Sequence, residues 1–499
     1  MAIKFIGGDY LEITNLLKSA ERGSEVSIDV DLLDDESNPS FDVINYAINQ
    51  QKKRIERFDK LEDYYEGNQD ILSKKISSFD YNQNDSKDTK VMVNNAKYIT
   101  DIMVGFTTGN PISIAPGKGK NIQPVLDTFE DMDIDAHNTE LEKDLSVFGC
   151  AYELLYVQKE DEVSKVKIGK IDPRGIVVVT DDTLDHNPLF AIYYQEKHDL
   201  TGASNGYLIT IFTKQNIITY RTKVGSILGD SNIAYREVSK HYFKDVPVVA
   251  YRNNEEKQGD FEQAITLIDA YNRLQSDRLT DKNKFVDAIL AIYGATLDDS
   301  ANLKDGVLEF PAGKGQDGVT AEYLTKTLSE SDTQVLAKAI EDNIHKTTYV
   351  PNLNDENFSG TTSGEAMKYK LIGLLQTLAT KQRYLTRGIR RRLQLVQTFL
   401  NIKGNQVDCT GANITINPNI PVNMSNIIDN IKNAEGVIPQ LIALGWLPGT
   451  NDPQELVDML NKEKEDNINL QQKALASQEP DKIVDDSKGD VSDDNSNDM

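Results

Sequence analysis

The stretch from Pro351 to Lys403 constrains the fold most strongly. A polar, glycine-containing loop at residues 352–364 precedes a long helix that we predict to begin at Glu365. Thr362 and Glu365 have the spacing of a capping box, which satisfies free backbone N–H groups at a first helical turn. Leucine and isoleucine then recur every three or four residues, as on a helix with one buried stripe. Such a helix would be about 55 Å long, more than a compact domain needs, so we expect it to span something larger.

The charge of this helix is opposite to that of the chain. Between Glu365 and Lys403 there are nine bases and one acid, a net charge of +8, in a chain of net charge −25. The bases are Lys368, Lys370, Lys381, Arg383, Arg387, Arg390, Arg391, Arg392 and Lys403. A concentrated basic element in an acidic protein indicates a local polyanionic partner. The alternative, which the sequence leaves open, is that these bases pair with acids elsewhere in the fold.

Composition limits the class of protein. With 499 residues, 39% of them hydrophobic, the chain has room for several globular domains. No apolar run approaches the roughly 18 residues of a membrane span, and the N-terminus lacks a signal-peptide pattern, so we expect folding in a cytosol. Cys150 and Cys409 have no disulfide or zinc spacing and should be buried as small hydrophobes. Strong acidity argues against coating DNA with the whole surface, but an acidic wall would repel a duplex and let it slide.

The first half of the chain predicts a mixed α+β body. Residues 1–40 are polar and acidic and predict a loosely ordered arm. A helix follows from Phe41 to Glu66, and Gly67 supplies a left-handed cap. A second helix begins near Asn94 and stops before a proline. Residues 148–252 then show a strand pattern, with a hairpin over Tyr207 to Arg221.

The second half predicts two helices that carry a small β module. The first helix, Gly259 to Gly294, has a polar middle, and we expect that middle to lie between subunits. Residues 295–330 are strand-like and rich in turns. Ser331 and Gln334 form a capping box that opens the second helix, which ends before Pro351. Helices around Trp446 follow, and residues 465–499 predict a disordered acidic tail.

Two small acidic clusters have the residue types of a metal site. Asp181, Asp185 and His186 lie in one, and residues 131–137 contain the other. Neither matches a known metal-binding or hydrolase spacing, so we interpret both as solvated acidic turns, with no metal and no cofactor. The glycine-rich segment 313–318 lacks the ending of a phosphate-binding loop. One alternative remains a metal-dependent nucleic-acid-processing enzyme that uses Asp181, Asp185 and His186.

Several short motifs follow one another in a fixed order along residues 41–463. They are Tyr65-Glu66-Gly67, Asn94-Asn95-Ala96-Lys97 with Asp101, Gly109-Asn110-Pro111-Ile112, Gly149-Cys150-Ala151-Tyr152, Asn253-Asn254, Phe261 with Ile268-Asp269-Ala270-Tyr271-Asn272, and Ser359-Gly360-Thr361-Thr362-Ser363-Gly364-Glu365-Ala366. No single motif is specific. The ordered set, joined to the helix–β–helix finger, resembles the portal proteins of tailed bacteriophages, in the form common to long-tailed phages of Gram-positive hosts.

The resemblance implies a portal fold of the α+β class, assembled as a ring, usually of twelve subunits. It implies the following regions: an N-terminal arm at 1–40, a wing at 41–258, stem helices at 259–294 and 331–350, a clip at 295–330, a tunnel loop at 351–364, a long wing helix and strand at 365–419, a crown at 420–464 and an acidic tail at 465–499. Such a ring is not an enzyme and conducts double-stranded DNA at one capsid vertex.

The resemblance also implies site residues and partners. The tunnel loop beside DNA would contain Asn352, Asn354, Asp355, Glu356, Asn357, Ser359, Gly360, Thr361, Thr362, Ser363 and Gly364; the stem would line the channel with Arg273, Arg278, Lys282 and Lys284; and the clip would dock the motor through Lys304, Glu309, Phe310, Lys314 and Gln316. Asp355 and Glu356 favour a loop that guides DNA by repulsion.

The implied partners are other copies of the chain, double-stranded DNA, the terminase large subunit, major capsid and scaffolding proteins, and head-completion or adaptor proteins, with no membrane. The protein would be made in the host cytoplasm and end in the virion. A ring-forming scaffold without a DNA channel remains a further alternative.

Overall fold

The computed structural model describes residues 22–33, 35–73, 89–160, 163–223, 228–229, 232–286, 289–293, 307–310, 320–324, 330–353, 369–420, 424–445, 447 and 453–476. The chain forms two compact units, Met1–Pro421 and Val422–Met499. Among the described helices, none is both long and apolar enough to cross a bilayer.

The helices of the first unit are α1 (Phe41–Glu66), α2 (Asp70–Ser73), α3 (Asn95–Thr108), α4 (Gln123–Glu130), α5 (Ile134–Phe148), α6 (Ile265–Val286), α7 (Glu330–Thr348) and α8 (Ile372–Ile402). Those of the second unit are α9 (Met424–Ala434), α10 (Gln440–Leu444) and α11 (Pro453–Ala476).

The strands are β1 (Glu25–Ile28), β2 (Ser113–Ala115), β3 (Cys150–Glu160), β4 (Val163–Ile171), β5 (Ile176–Asp181), β6 (Pro188–His198), β7 (Ser204–Phe212), β8 (Asn216–Thr222), β9 (Ile233–Lys240), β10 (Val248–Arg252), β11 (Ile289–Tyr293), β12 (Val307–Phe310), β13 (Thr320–Leu324) and β14 (Asn413–Thr415). The α+β class predicted from the sequence is therefore confirmed.

The strands of the described residues form four sheets. A six-stranded sheet has the order β1-β5-β6-β7-β8-β9, and a three-stranded sheet has the order β10-β3-β4. The predicted hairpin is confirmed, because β7 and β8 pair in antiparallel register with Phe212 opposite Ile217. In a second three-stranded sheet, β11 lies between β12, which is parallel to it, and β13, which is antiparallel. Strands β2 and β14 form a two-stranded ribbon.

Local signals account for several helix ends. Helix α1 ends at Gly67, whose φ of 93° is the left-handed conformation that glycine adopts without steric cost. Helix α3 begins where the Asn94 side chain accepts a hydrogen bond from the Lys97 N–H at 3.0 Å. Both predictions are confirmed.

Helix α8 contributes buried residues to two of the hydrophobic cores of the first unit. Leucines and isoleucines on one face of α8 are buried against β3, β10 and α4, forming one core with Leu155, Val249, Phe129, Leu385, Ile389 and Val396. A second core joins α1 to the six-stranded sheet, and a third joins α1, α3, α6 and α7. Buried apolar area is the main favourable contribution to such packing.

The structure corrects four boundary predictions. Residues 25–28 are not part of a loose arm, because they form β1, parallel to β5 and buried at Val26 and Ile28. The first long helix ends at Val286 and not at Gly294, because 289–293 form a strand paired on both sides. Helix α7 begins at Glu330, so Ser331 lies in its first turn and is not the cap. Helix α11 extends to Ala476, into the segment predicted to be disordered.

The start of the long basic helix is described only in part. Helix α8 begins at Ile372, after a turn at Leu371, and has 31 residues, which corresponds to about 46 Å. The predicted capping box of Thr362 and Glu365, the glycine-rich segment 313–318, Trp446 and the tail beyond residue 476 lie outside the described residues.

Candidate functional site

The helix pair α6 and α7 carries the predicted stem residues. Arg278 donates to the Gln334 amide oxygen at 2.9 Å, which ties α6 to α7. Arg273 is exposed and lies 3.9 Å from Asp277, one helical turn away. Lys282 is exposed, and Lys284 lies on the last turns of α6. The structure therefore presents Arg273 and Lys282 to solvent, and Arg278 bridges the two helices.

The polar middle of α6 has an explanation within the chain. Asn272 is buried; its oxygen accepts from the Val93 N–H at 2.9 Å, and its amide donates to Gln69 at 2.6 Å. Ser276 is also buried and accepts from the Val91 N–H at 2.9 Å. These two polar side chains thus find partners in their own chain, and the expectation that the middle of the helix lies between subunits stays a prediction for its exposed side.

The start of the predicted tunnel loop is anchored. The Tyr98 hydroxyl donates to the Pro351 carbonyl at 3.1 Å and accepts from the Leu353 N–H at 3.0 Å. Asn352 donates to Glu341 on α7 at 2.9 Å. Tyr98 also meets His345 edge to face, with ring centroids 5.8 Å apart. The loop therefore leaves from a fixed point on α3 and α7.

Sequence reasoning missed this anchor. Tyr98 and Pro351 are 253 positions apart, and no local pattern links them. The rest of the predicted loop, from Asn354 to Gly364, lies outside the described residues.

Of the five predicted clip residues, the structure describes two. Glu309 and Phe310 lie on β12, opposite Ile292 and Tyr293 of β11. Lys304, Lys314 and Gln316 lie outside the described residues. The position of the small sheet between α6 and α7 along the chain agrees with the helix–β–helix order expected from the sequence.

A buried charge network around Arg392 holds α8. The Arg392 guanidinium contacts both carboxylate oxygens of Glu153, with Nε and Nη2 at 2.9 and 2.7 Å, and both side chains are almost fully buried. Asn138 accepts from Arg392 at 2.8 Å, and the Tyr251 hydroxyl donates to Glu153 at 2.7 Å. His137 lies 2.9 Å from the other oxygen of Glu153. Burial tends to raise the pKa of Glu153, but the Arg392 charge and the hydrogen bonds from His137 and Arg392 together outweigh it and lower the pKa to about 2.

A second buried cluster holds α8 three turns earlier. The Lys381 ammonium lies 2.8 Å from Asp260 and 2.5 Å from Glu142, and all three side chains are buried. Burial raises the pKa of Glu142 in opposition to the Lys381 charge. Burial alone would lower the pKa of Lys381, but Asp260 and Glu142 raise it. This lysine is therefore a structural cation.

The sequence left open whether the bases of this helix pair with acids elsewhere in the fold, and these contacts answer the question for three of them. Lys381, Arg391 and Arg392 pair with acids of the same chain, Arg391 with Asp245 at 2.6 Å. Arg383, Arg387 and Arg390 are exposed. The basic helix is thus partly a core element and partly a charged surface.

The acidic cluster at residues 181–187 has the hydrogen bonds of a turn. The Asp181 carboxylate accepts from the Thr183 hydroxyl at 2.7 Å and from the Asn187 N–H at 2.9 Å. Asp182 and Asp185 are exposed. Within the described ranges, no three His, Cys, Asp or Glu side chains come together as a metal site requires.

The two cysteines are buried as predicted. Burial raises the pKa of each thiol to about 11, so neither is a reactive thiolate near neutral pH.

The chain is similar in sequence to a known protein. The chain is 21% identical over 395 residues to the portal protein of Bacillus phage SPP1, and the match covers 74% of each chain. A solved structure of the neck of an empty GTA particle is similar at a TM-score of 0.38 and 12% identity, over 71% of this chain and 91% of that one.

The class that emerges is a structural protein of the phage virion, whose members form homo-oligomeric rings at the head. Within it, the chain belongs to the family described as "Phage portal protein, SPP1 Gp6-like", which matches residues 44–470.

Proposed function

We propose that copies of this chain form a closed ring, a dodecamer, at one capsid vertex, and that double-stranded DNA passes through its axial channel during packaging and ejection. The family match over residues 44–470 carries this proposal. In such a ring the chain works as a conduit, and a packaging ATPase supplies the energy.

The order of the described elements supports an assignment of each to one region of a portal subunit. We assign α6 and α7 to the stem, the β11–β12–β13 sheet to the clip, residues 41–258 with α8 to the wing, and α9 to α11 to the crown. The clip would dock the terminase large subunit during packaging and head-completion proteins afterwards. Scaffolding and major capsid proteins would surround the ring.

The anchored loop start supports a tunnel loop that follows it. Tyr98 and Glu341 hold residues 351–353, so a loop that begins there starts from a fixed position. A loop moved by passing DNA needs such an immobile base, because otherwise force on the loop would only displace its ends. The neutral and acidic residues at 354–357 suit a sliding contact and not a grip.

Electron microscopy of the purified protein, with its solution mass, tests the ring. Closed rings with a hole wide enough for B-form DNA are expected, and a closed particle without a hole would contradict the proposal.

Deletion of residues 354–364 tests the loop: rings should form as in the wild type, while packaging of DNA into proheads is lost. Leu200→Ser, at a fully exposed hairpin turn, is the control and should package normally. Normal packaging by the deletion variant would refute the loop assignment.

A further inference from the structure

Three arginines of α8 form an exposed stripe, which we call the arginine stripe: Arg383, Arg387 and Arg390. They are four and three positions apart, so they lie on one face of the helix. In the part of the chain that the structure describes, none of the three makes an ion pair, whereas Lys381, Arg391 and Arg392 on the same helix each do. A charged stripe without acids of its own is unusual in a chain with 79 acids and 54 bases.

Arg387 also lines a cleft of about 240 Å³ between α8, β10 and the turn that joins β5 to β6. Two other arginines line the cleft, and each is neutralised within the chain. Arg252 binds Glu25 at 2.8 Å, and Arg391 binds Asp245 at 2.6 Å. Arg387 is therefore the one cleft arginine, among the described residues, that makes no ion pair, although Asp185 lines the same cleft.

The lining of the cleft indicates its ligand. Its walls are polar and apolar in about equal measure. Val178, Pro188, Val248 and Ala250 supply the apolar part, and Thr180, His186, Asn187, Tyr384 and the carboxyl groups of Glu25 and Asp185 supply polar groups beside the arginines. A guanidinium binds a carboxylate through two parallel hydrogen bonds, which makes an acidic side chain the natural partner of Arg387. The volume is below the range of about 300–1,000 Å³ that small-molecule sites occupy. The cleft thus suits a single acidic side chain better than a small molecule or a duplex.

The ring supplies such a side chain. In a closed ring, each contact joins two different surfaces of the same protein, so a cationic surface on one copy needs an anionic surface on the next. We propose that the arginine stripe is a subunit–subunit contact in which Arg387 binds a carboxylate from the neighbouring copy. This inference rests on the proposed ring, and it names one of the surfaces that close it.

Zero-length cross-linking of Arg387→Lys provides the direct test. Rings are assembled from equal amounts of ¹⁴N- and ¹⁵N-labelled full-length variant and treated with a carbodiimide, which joins an amine only to a carboxylate in contact. Mass spectrometry of the peptides should show residue 387 linked to an Asp or Glu in mixed-isotope pairs. A complete lack of mixed-isotope pairs, as expected for links formed only within one copy, for example to Asp185 in the same cleft, would overturn the proposal, as would the absence of links.

Charge reversal provides the second test. Arg387→Glu should raise the protein concentration needed for half-assembly by at least about tenfold, because like charges then face each other, and the triple reversal of the stripe should raise it further. Arg221→Glu, an exposed arginine on β8, is the matched control and should assemble as the wild type. Wild-type assembly should also weaken as salt is added.

The outcomes separate this proposal from the ring itself. A wild-type chain that never forms rings refutes the proposed function and this inference together. If the wild type forms rings and the triple variant assembles equally well, only this inference fails. Unchanged assembly with reduced DNA packaging would overturn it in favour of contact with DNA.

Discussion

Replacement of Arg392 by methionine tests whether the buried network holds α8 in place. Arg392 is 1% exposed, and its partner Glu153 is fully buried. The substitution keeps most of the volume but leaves the Glu153 charge without its guanidinium. Breaking a buried pair from one side costs about 3–5 kcal/mol, because the remaining charge is uncompensated. We therefore expect Arg392→Met to lower the free energy of unfolding by about 4 kcal/mol.

A double variant isolates the charge. In Arg392→Met/Glu153→Gln the buried charge is gone, and the introduced amide still offers an oxygen to the Tyr251 hydroxyl, which donates to Glu153 in the wild type. The double variant should be more stable than Arg392→Met by at least about 1 kcal/mol, which a double-mutant cycle measures as coupling. Urea denaturation of the unassembled full-length chain, followed by circular dichroism, gives these values. Simple addition of the two single effects would refute the reasoning.

The same network predicts a dependence on acid. The folded pKa of Glu153 is about 2, against an ordinary value of 4.5. A depressed carboxyl pKa stabilises the fold fully above the unfolded pKa, and this contribution is lost as pH falls from about 5 towards 2. Wild-type stability should therefore fall over this window. Arg392→Met should show a smaller fall, and an equal fall in both proteins would contradict the assignment to this pair.

Two further predictions concern packing and pH. In Gly388→Ala the added Cβ would lie 2.2 Å from the buried ring of Tyr251, so we expect the free energy of unfolding, measured by thermal denaturation, to fall by at least about 1–3 kcal/mol. Gly105→Ala, which has no neighbour within 4 Å, is the control and should stabilise its helix. Equal effects of the two substitutions would contradict the packing argument. Burial raises the pKa of Asp144 to about 6 despite Lys170, so the folded state binds its proton more tightly than the unfolded state, and stability should rise as pH falls from 7 to 5. Asp144→Asn should reduce this rise in urea midpoints measured across that range, and an unchanged slope would refute the role of Asp144.

Local patterns in the sequence determined much of the secondary structure. The glycine after α1 and the asparagine before α3 mark those helix ends, because capping depends on residues within one turn. The strand pattern from Ile176 to Thr222 and the apolar stripe of α8 likewise depend only on neighbours along the chain. The ordered motifs also indicated the portal family, which the match over residues 44–470 shows.

Tertiary pairing decided what these patterns could not. The segment Ile289–Tyr293 has an apolar content that suits either a helix or a strand, and it is a strand because partners pair with it on both sides. Strand β1 is ordered in an acidic segment because β5, some 150 positions later, pairs with it. Its burial depends on a partner that the local sequence does not contain.

The basic helix shows the same contrast between what the local sequence determines and what the tertiary structure decides. Its net charge follows from counting residues, but the sequence does not separate the bases that are buried from those that remain exposed. Arg392 meets Glu153 across 239 positions, and Lys381 meets Asp260 across 121. Arg387, five residues before Arg392, has no such acid among the described residues. A side chain's partner is set by which distant elements fold against its face of the helix, so only the tertiary structure distinguishes a structural cation from one available for binding.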